Sequence, residues 1–198
     1  MTGFFLKKAF FDGWDNLLQI LLLNVIIMGI GFGGFFLAGI TSRLLIVSIL
    51  ALVCSGLLEG VLLLAVSSLM ARVADYKSFT LRDLFAAMQE TWKHGVLFAL
   101  VVVAGFFVFS VTLPYYFGLG NPLGFALAVL MFWVAVVAVL SLQWFLPIRS
   151  QLDRNFVKCL KKSFIIFFDN PGFSLFMFVY SFVLLLFSLV FVMLVPGI

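Results

Sequence analysis

Charged residues divide this chain into apolar stretches of similar length, and that spacing predicts its architecture. Crossing about 30 Å of hydrocarbon takes roughly 20 helical residues. Five stretches meet that length, about 17–40, 44–71, 96–116, 123–147 and 173–195. The third and fourth come from one charge-free run, Gly95 to Ile148, which is too long for a single crossing. Gly118-Leu119-Gly120-Asn121-Pro122 divides it with strong turn chemistry. Pro114, just before, predicts a kink or an early helix end. The pattern predicts an all-α polytopic membrane helix bundle with five transmembrane helices in one integral domain, 1–198.

The polar connections carry a pattern of their own. Leu81, Leu84, Phe85, Met88 and Trp92 recur at helical spacing, with Arg82, Asp83, Gln89, Glu90 and Lys93 between them. Thr80-x-x-Asp83 supplies an N-terminal cap for this segment, 80–92. A second stretch, 152–168, sets Leu152, Phe156, Leu160, Phe164 and Phe167 against Asp153, Arg154, Lys158, Lys161 and Lys162. Basic faces opposite aromatic faces suit amphipathic helices at the inner leaflet. Packing of the same faces on the protein's own spans is the other reading, and the two are compatible. Phe10-x3-Trp14-Asp15-Asn16, Met88-x3-Trp92 and Phe164-x3-Phe168-Asp169-Asn170 precede the first, third and fifth spans in one register. They read either as a parallel repeat or as the common liking of inner boundaries for aromatic and capping residues.

Composition agrees with the spans. Of 198 residues 65% are hydrophobic and 10% charged, against about 45–50% and about 25% in soluble domains. Lipid is the solvent that such an exterior needs. The net charge of +4 does not point to nucleic acid, because the basic residues lie in short segments between apolar runs. Two precede the first span, four follow the second and five follow the fourth, so eleven of twelve fall on one side, leaving Arg43 on the other. By the positive-inside rule the N-terminus is inside and the C-terminus outside. Trp14, Trp92 and Trp144 at inner ends and Tyr115 and Tyr116 at an outer end suit interfacial anchors. The expected partners are therefore membrane lipids, anionic at the inner leaflet. Cys54 and Cys159 form neither a disulfide framework nor a zinc site. The first apolar run is too long for a signal-peptide core.

Within the spans, polar residues are few. Glu59 is the one ionisable side chain deep in any span, and it sits mid-way along the second. A charge there costs at least about 2.5–3.5 kcal/mol, so Glu59 is expected to face the interior. It reads as a proton, cation or solute site, or as a neutral carboxyl hydrogen-bonded to another helix, with Asn24 the candidate partner. Gln19 and Gln143 lie nearer inner ends, and His94 reads as a boundary residue. Gly29-x-Gly31-x-x-Gly34 matches a dinucleotide fingerprint in letters only, because it lies inside a span with no strand before it. The glycines predict helix packing instead, Gly29 and Gly33 on the first span against Gly56 and Gly60 on the second. No metalloprotease, nucleophile-elbow or phosphate-loop sequence is present, and one histidine cannot build a multi-histidine metal centre. The sequence predicts no enzyme, no metal and no cofactor.

Phe79-Thr80-Leu81-Arg82-Asp83-Leu84-Phe85 leading to Trp92-Lys93-His94-Gly95 resembles the Phe-rich amphipathic helix before a span in YesL-like bacterial membrane proteins. Pro147-Ile148-Arg149 through Asn170-Pro171, opening onto the last span, is similar too. The first half differs, being Gly/Phe-rich from Gly29 to Gly39 where the family has a proline-containing motif. The resemblance implies a multi-pass protein of the bacterial cytoplasmic membrane, with a lean toward carbohydrate uptake, and transfers no catalytic residue. The leading functional expectation is a non-enzymatic protein performing or assisting small-solute transport, as a homo-oligomer or a transporter subunit, with Glu59 and Asn24 lining the polar site. The alternative is a scaffold that docks a protein partner or anionic lipid through its cytoplasmic helices, with Lys158, Lys161 and Lys162 as the contact.

Overall fold

The computed structural model describes residues 2–75 and 79–194, with side chains described for 7, 8, 10–75 and 79–187. Among these residues there are eight helices and no strand: α1 (Thr2–Asp15), α2 (Leu17–Ile40), α3 (Leu45–Ala74), α4 (Leu81–Gly118), α5 (Pro122–Leu142), α6 (Phe145–Gln151), α7 (Phe156–Asp169) and α8 (Pro171–Leu194). Four segments are long and apolar enough to cross a membrane, namely α2, α3, α4 and the stretch Pro122–Gln151. The pair α7 and α8, bent by 106°, is the fifth candidate. Within the four apolar windows only 11% to 28% of residues are buried by protein, which leaves most of the apolar surface for lipid. The predicted fifth span ends at Val195, which lies outside the described residues.

The chain divides into two compact units, Met1–Val108 with Arg149–Leu152, and Phe109–Ile148 with Asp153–Ile198. In the first unit α2 and α3 form a close antiparallel pair joined by a tight turn, with Leu44 N–H donating to Thr41 O at 2.7 Å. A core of Leu23, Leu62, Ala65, Leu69 and Val73 continues onto Phe79 and Leu84. Lys8 Nζ donates to the carbonyl of Ala74 at 3.0 Å, placing a cation at the negative end of α3. In the second unit α5, α7 and α8 meet around Phe145, Cys159, Ser163 and Ser174, all fully buried.

Three boundaries differ from expectation. The segment 80–92 is not a separate interfacial helix, because α4 runs unbroken from Leu81 to Gly118 over 38 residues. That is about 57 Å of helix, far beyond the hydrocarbon thickness. Its first turns, carrying Arg82, Asp83, Glu90 and Lys93, therefore extend beyond the span. No proline or cap interrupts Trp92 to Val96, and Leu84 is held in the first unit's core. Pro114 neither ends nor caps the helix, which runs on to Gly118. The fourth span does pass Pro147, as the stretch Pro122–Gln151, but it is broken after Leu142, where α5 ends. Pro147 has no N–H to offer Gln143 O and its ring clashes with that carbonyl in a continuous helix, so the chain turns at Gln143 and Trp144 before α6.

The turn chemistry holds as read. Gly120 has a φ of +63°, a conformation that glycine adopts without strain. Asn121 Oδ1 accepts from Gly124 N–H at 2.6 Å, with Pro122 opening α5. At Thr80 both the backbone N–H and the hydroxyl donate to Asp83 Oδ2 at 2.7 Å.

Candidate functional site

Glu59 lies in the seam between α2 and α3. The seam closes because α2 offers small residues where α3 offers polar ones. A Cβ on Gly31 would collide with Glu59 Oε1, and one on Gly34 would collide with Ser55 Oγ. Ser48 Oγ donates to Ala38 O at 2.9 Å, a turn further along. The hydroxyls satisfy themselves on backbone, Ser55 Oγ donating to Leu52 O at 3.0 Å. Glu59 is half-buried, and its carboxyl has no hydrogen-bond partner among the described residues.

The expected partner is elsewhere. Asn24 is exposed and lies two turns before Gly31, roughly 10 Å along the axis, so the structure does not bring it to Glu59. The glycine prediction is also corrected. Gly29, Gly33 and Gly56 have open space where a Cβ would go. Close approach of α2 to α3 runs through Gly31 and Gly34, because these residues face α3 while Gly29 and Gly33 turn away. Gly60 does pack, but against α4, where a Cβ would stand 2.6 Å from Ala99 Cβ and 2.7 Å from Gly95 O. Gly95 answers it by lying directly over the Val61 backbone.

A second polar group stands in the first unit, where α4 meets Arg149. Arg149 Nη2 lies 3.3 Å from His94 Nδ1, so a neutral imidazole accepts the guanidinium proton. Burial, then Arg149, then Lys93 hold His94 below its ordinary value of 6.5. Arg149 Nε is buried with no hydrogen-bond partner, and the next residue, Ser150, accepts at Oγ from Ser67 Oγ at 3.4 Å. Reading His94 as a mere boundary residue missed this pair. The signal was present, since His94 and Arg149 bracket the charge-free run Gly95 to Ile148.

The third candidate is α7. Asp153 and Asn155 build its start: Asn155 N–H donates to Asp153 Oδ1 at 3.0 Å, and Asn155 Oδ1 accepts from Lys158 N–H at 3.2 Å. Lys162 Nζ binds the same aspartate at 3.0 Å. The Asn155 N–H and then Lys162 hold the Asp153 carboxyl below its usual range. The helix therefore begins at Phe156, not at Leu152. Its buried stripe is Cys159, Ser163 and Phe167; of the expected series Phe167 is buried, Phe156, Leu160 and Phe164 are half-buried beside the stripe, and Leu152 is exposed. Small side chains at the first two positions let α7 press against its neighbours. Lys158 and Lys161 are exposed, and so are Val157, Ile165 and Phe168. The basic trio is thus divided, with Lys162 committed to Asp153 and two lysines facing outward.

The bend at Asn170 gives this helix its direction. Pro171 cannot continue α7, and the chain leaves at 106° into α8. Ser174, fully buried, locks the corner by accepting from Trp144 Nε1 at 2.9 Å and donating to Asn170 O at 3.0 Å. Gln143 Nε2 adds a bond to Ser174 O at 2.8 Å. Asn16 makes the equivalent break between α1 and α2. Trp92, which no Asp-Asn follows, sits inside α4, so the sequence repeat shows structurally at two places and not at the third.

Among the described residues no group of three or more His, Cys, Asp or Glu is placed to hold a metal ion. Comparison with family models, curated proteins and solved structures finds no match to this chain. What the helices themselves establish is a multi-pass α-helical membrane protein.

Proposed function

We propose that this chain is a non-enzymatic membrane scaffold whose inner-surface helix, α7, engages anionic lipid headgroups. The observation that carries the reading is the right-angled junction of α7 with α8. With α8 crossing the bilayer, a 106° bend lays α7 close to the membrane plane. One side of α7 then rests on its own unit. The other exposes Val157, Ile165 and Phe168 interleaved with Lys158 and Lys161 on one arc of the helix, so that the apolar side chains enter the interface while the lysines extend past them to headgroups. The eleven-to-one distribution of basic residues supports an inside location for this surface. Transport remains the second reading, favoured by one observation, the unpartnered carboxyl of Glu59 at mid-span. A YesL-like relationship and a place in the bacterial cytoplasmic membrane are consistent with both.

The test is lipid retention by native mass spectrometry for the pair Lys158→Gln with Lys161→Gln. Each lysine near an anionic surface contributes about 1 kcal/mol, so the double variant should retain anionic lipid more than tenfold less well. Lys162→Gln alone should act through stability, because that side chain is held by Asp153. Unchanged anionic-lipid retention in the double variant removes the lipid-docking reading.

A further inference from the structure

We infer that the edge of the α2–α3 pair carrying Glu59 and Asn24 is the interface with a second copy of this chain. The argument is separate from the reading of α7 and begins with two polar groups that the chain leaves unanswered. Glu59 sits mid-way along a 30-residue span, half-buried, with its carboxyl against Gly31 and no hydrogen-bond partner among the described residues. Asn24 is exposed on α2 and likewise has none. An amide or carboxyl facing hydrocarbon without a partner is strongly disfavoured, whichever protonation state the acid takes.

Both groups point to one edge. Seven residues separate Asn24 from Gly31, which at 100° per residue returns to nearly the same face of α2. Glu59 meets α2 at Gly31, so the carboxyl and the amide line the same side of the pair, two turns apart in depth. Gly29 and Gly33 lie on the far side of α2, facing open space.

Self-complementarity chooses the occupant. Lipid tails offer no hydrogen bonds. A two-fold axis normal to the membrane sets each residue opposite its own copy at the same depth. An amide both donates and accepts, and so does a carboxyl in its protonated form, so Asn24 can pair with the partner's Asn24, and a protonated Glu59 with the partner's Glu59. No other residue type is needed, and one contact completes both sites. Hydrogen bonds of this kind between helices drive association where the hydrophobic effect does not.

The test counts copies of the full chain in liposomes by single-molecule photobleaching across protein-to-lipid ratios. The wild type should be dimeric. Asn24→Leu combined with Glu59→Leu should weaken association about tenfold or more, while Glu59→Gln, which still donates and accepts, should dimerise like wild type. On a Cys54→Ser background, Asn24→Cys should cross-link between copies and Gly33→Cys should not; this arm decides the matter even if the leucine variant misfolds. A monomeric wild type, a dimer indifferent to the leucine pair, or cross-linking of Asn24→Cys to a different polypeptide overturns the inference.

Discussion

The guanidinium of Arg149 lies 3.3 Å from Nδ1 of His94, although 55 residues separate them. The run between them, Gly95 to Ile148, carries no charge. One contact thus ties together the residues that bracket that run. It also brings a permanent cation to the only histidine.

That contact predicts a pH dependence. His94 is held below 6.5 by burial and by two nearby cations, so the unfolded chain binds a proton more readily than the folded one. Its contribution to stability is complete above about pH 6.5 and is lost as pH falls below that value toward the folded pKa. Thermal unfolding in detergent between pH 8 and pH 5 should show this decline. His94→Gln, which keeps a carbonyl acceptor for Arg149, should remove the slope near pH 6. An identical slope in the variant assigns it to another group.

The glycines divide by contact, not by motif. Gly60→Leu and Gly95→Leu should each destabilise by at least about 1–3 kcal/mol, because each drives a side chain into the backbone of a neighbouring helix. Gly29→Leu and Gly56→Leu should leave the unfolding midpoint within a degree or two, roughly the effect of an uncoupled surface change. Equal sensitivity at all four positions contradicts the packing described here.

Asn155 caps α7 and sets where that helix begins. Asn155→Ala should lower helix stability by about 1 kcal/mol. It should also raise hydrogen exchange selectively in Phe156 to Leu160. Protection unchanged across that turn shows that the cap is dispensable.

Orientation is open to labelling. Cysteines introduced at Ser42 and Asn121 should react with an impermeant maleimide from the opposite side to one introduced at Gln151; all three residues are exposed. The measurement needs Cys54 replaced, because that thiol is exposed as well. Labelling of all three from one side contradicts the alternation of the spans.

Much of this protein is determined by sequence alone. Hydrocarbon demands about 20 apolar residues per crossing, so the extent of α2 was legible to the residue, and that of α3 to within three. The turn at Gly120, Asn121 and Pro122 and the cap at Thr80 and Asp83 were legible too, because backbone conformation and capping are local chemistry. Tertiary structure decided the rest. Whether 80–92 lay apart or continued α4 depended on Leu84 finding a core and Gly95 finding Val61, contacts that no local pattern encodes. The lipid-rich surroundings weaken the usual guide, since an apolar residue is equally at home against lipid or against protein. Gly29 and Gly33 therefore look as suited to packing as Gly31 and Gly34 do, and only the rotation of α2 against α3 separates them. Glu59 was legible as an anomaly but not as an unanswered one, because the place of Asn24 on the same edge, two turns away, is a matter of helix register.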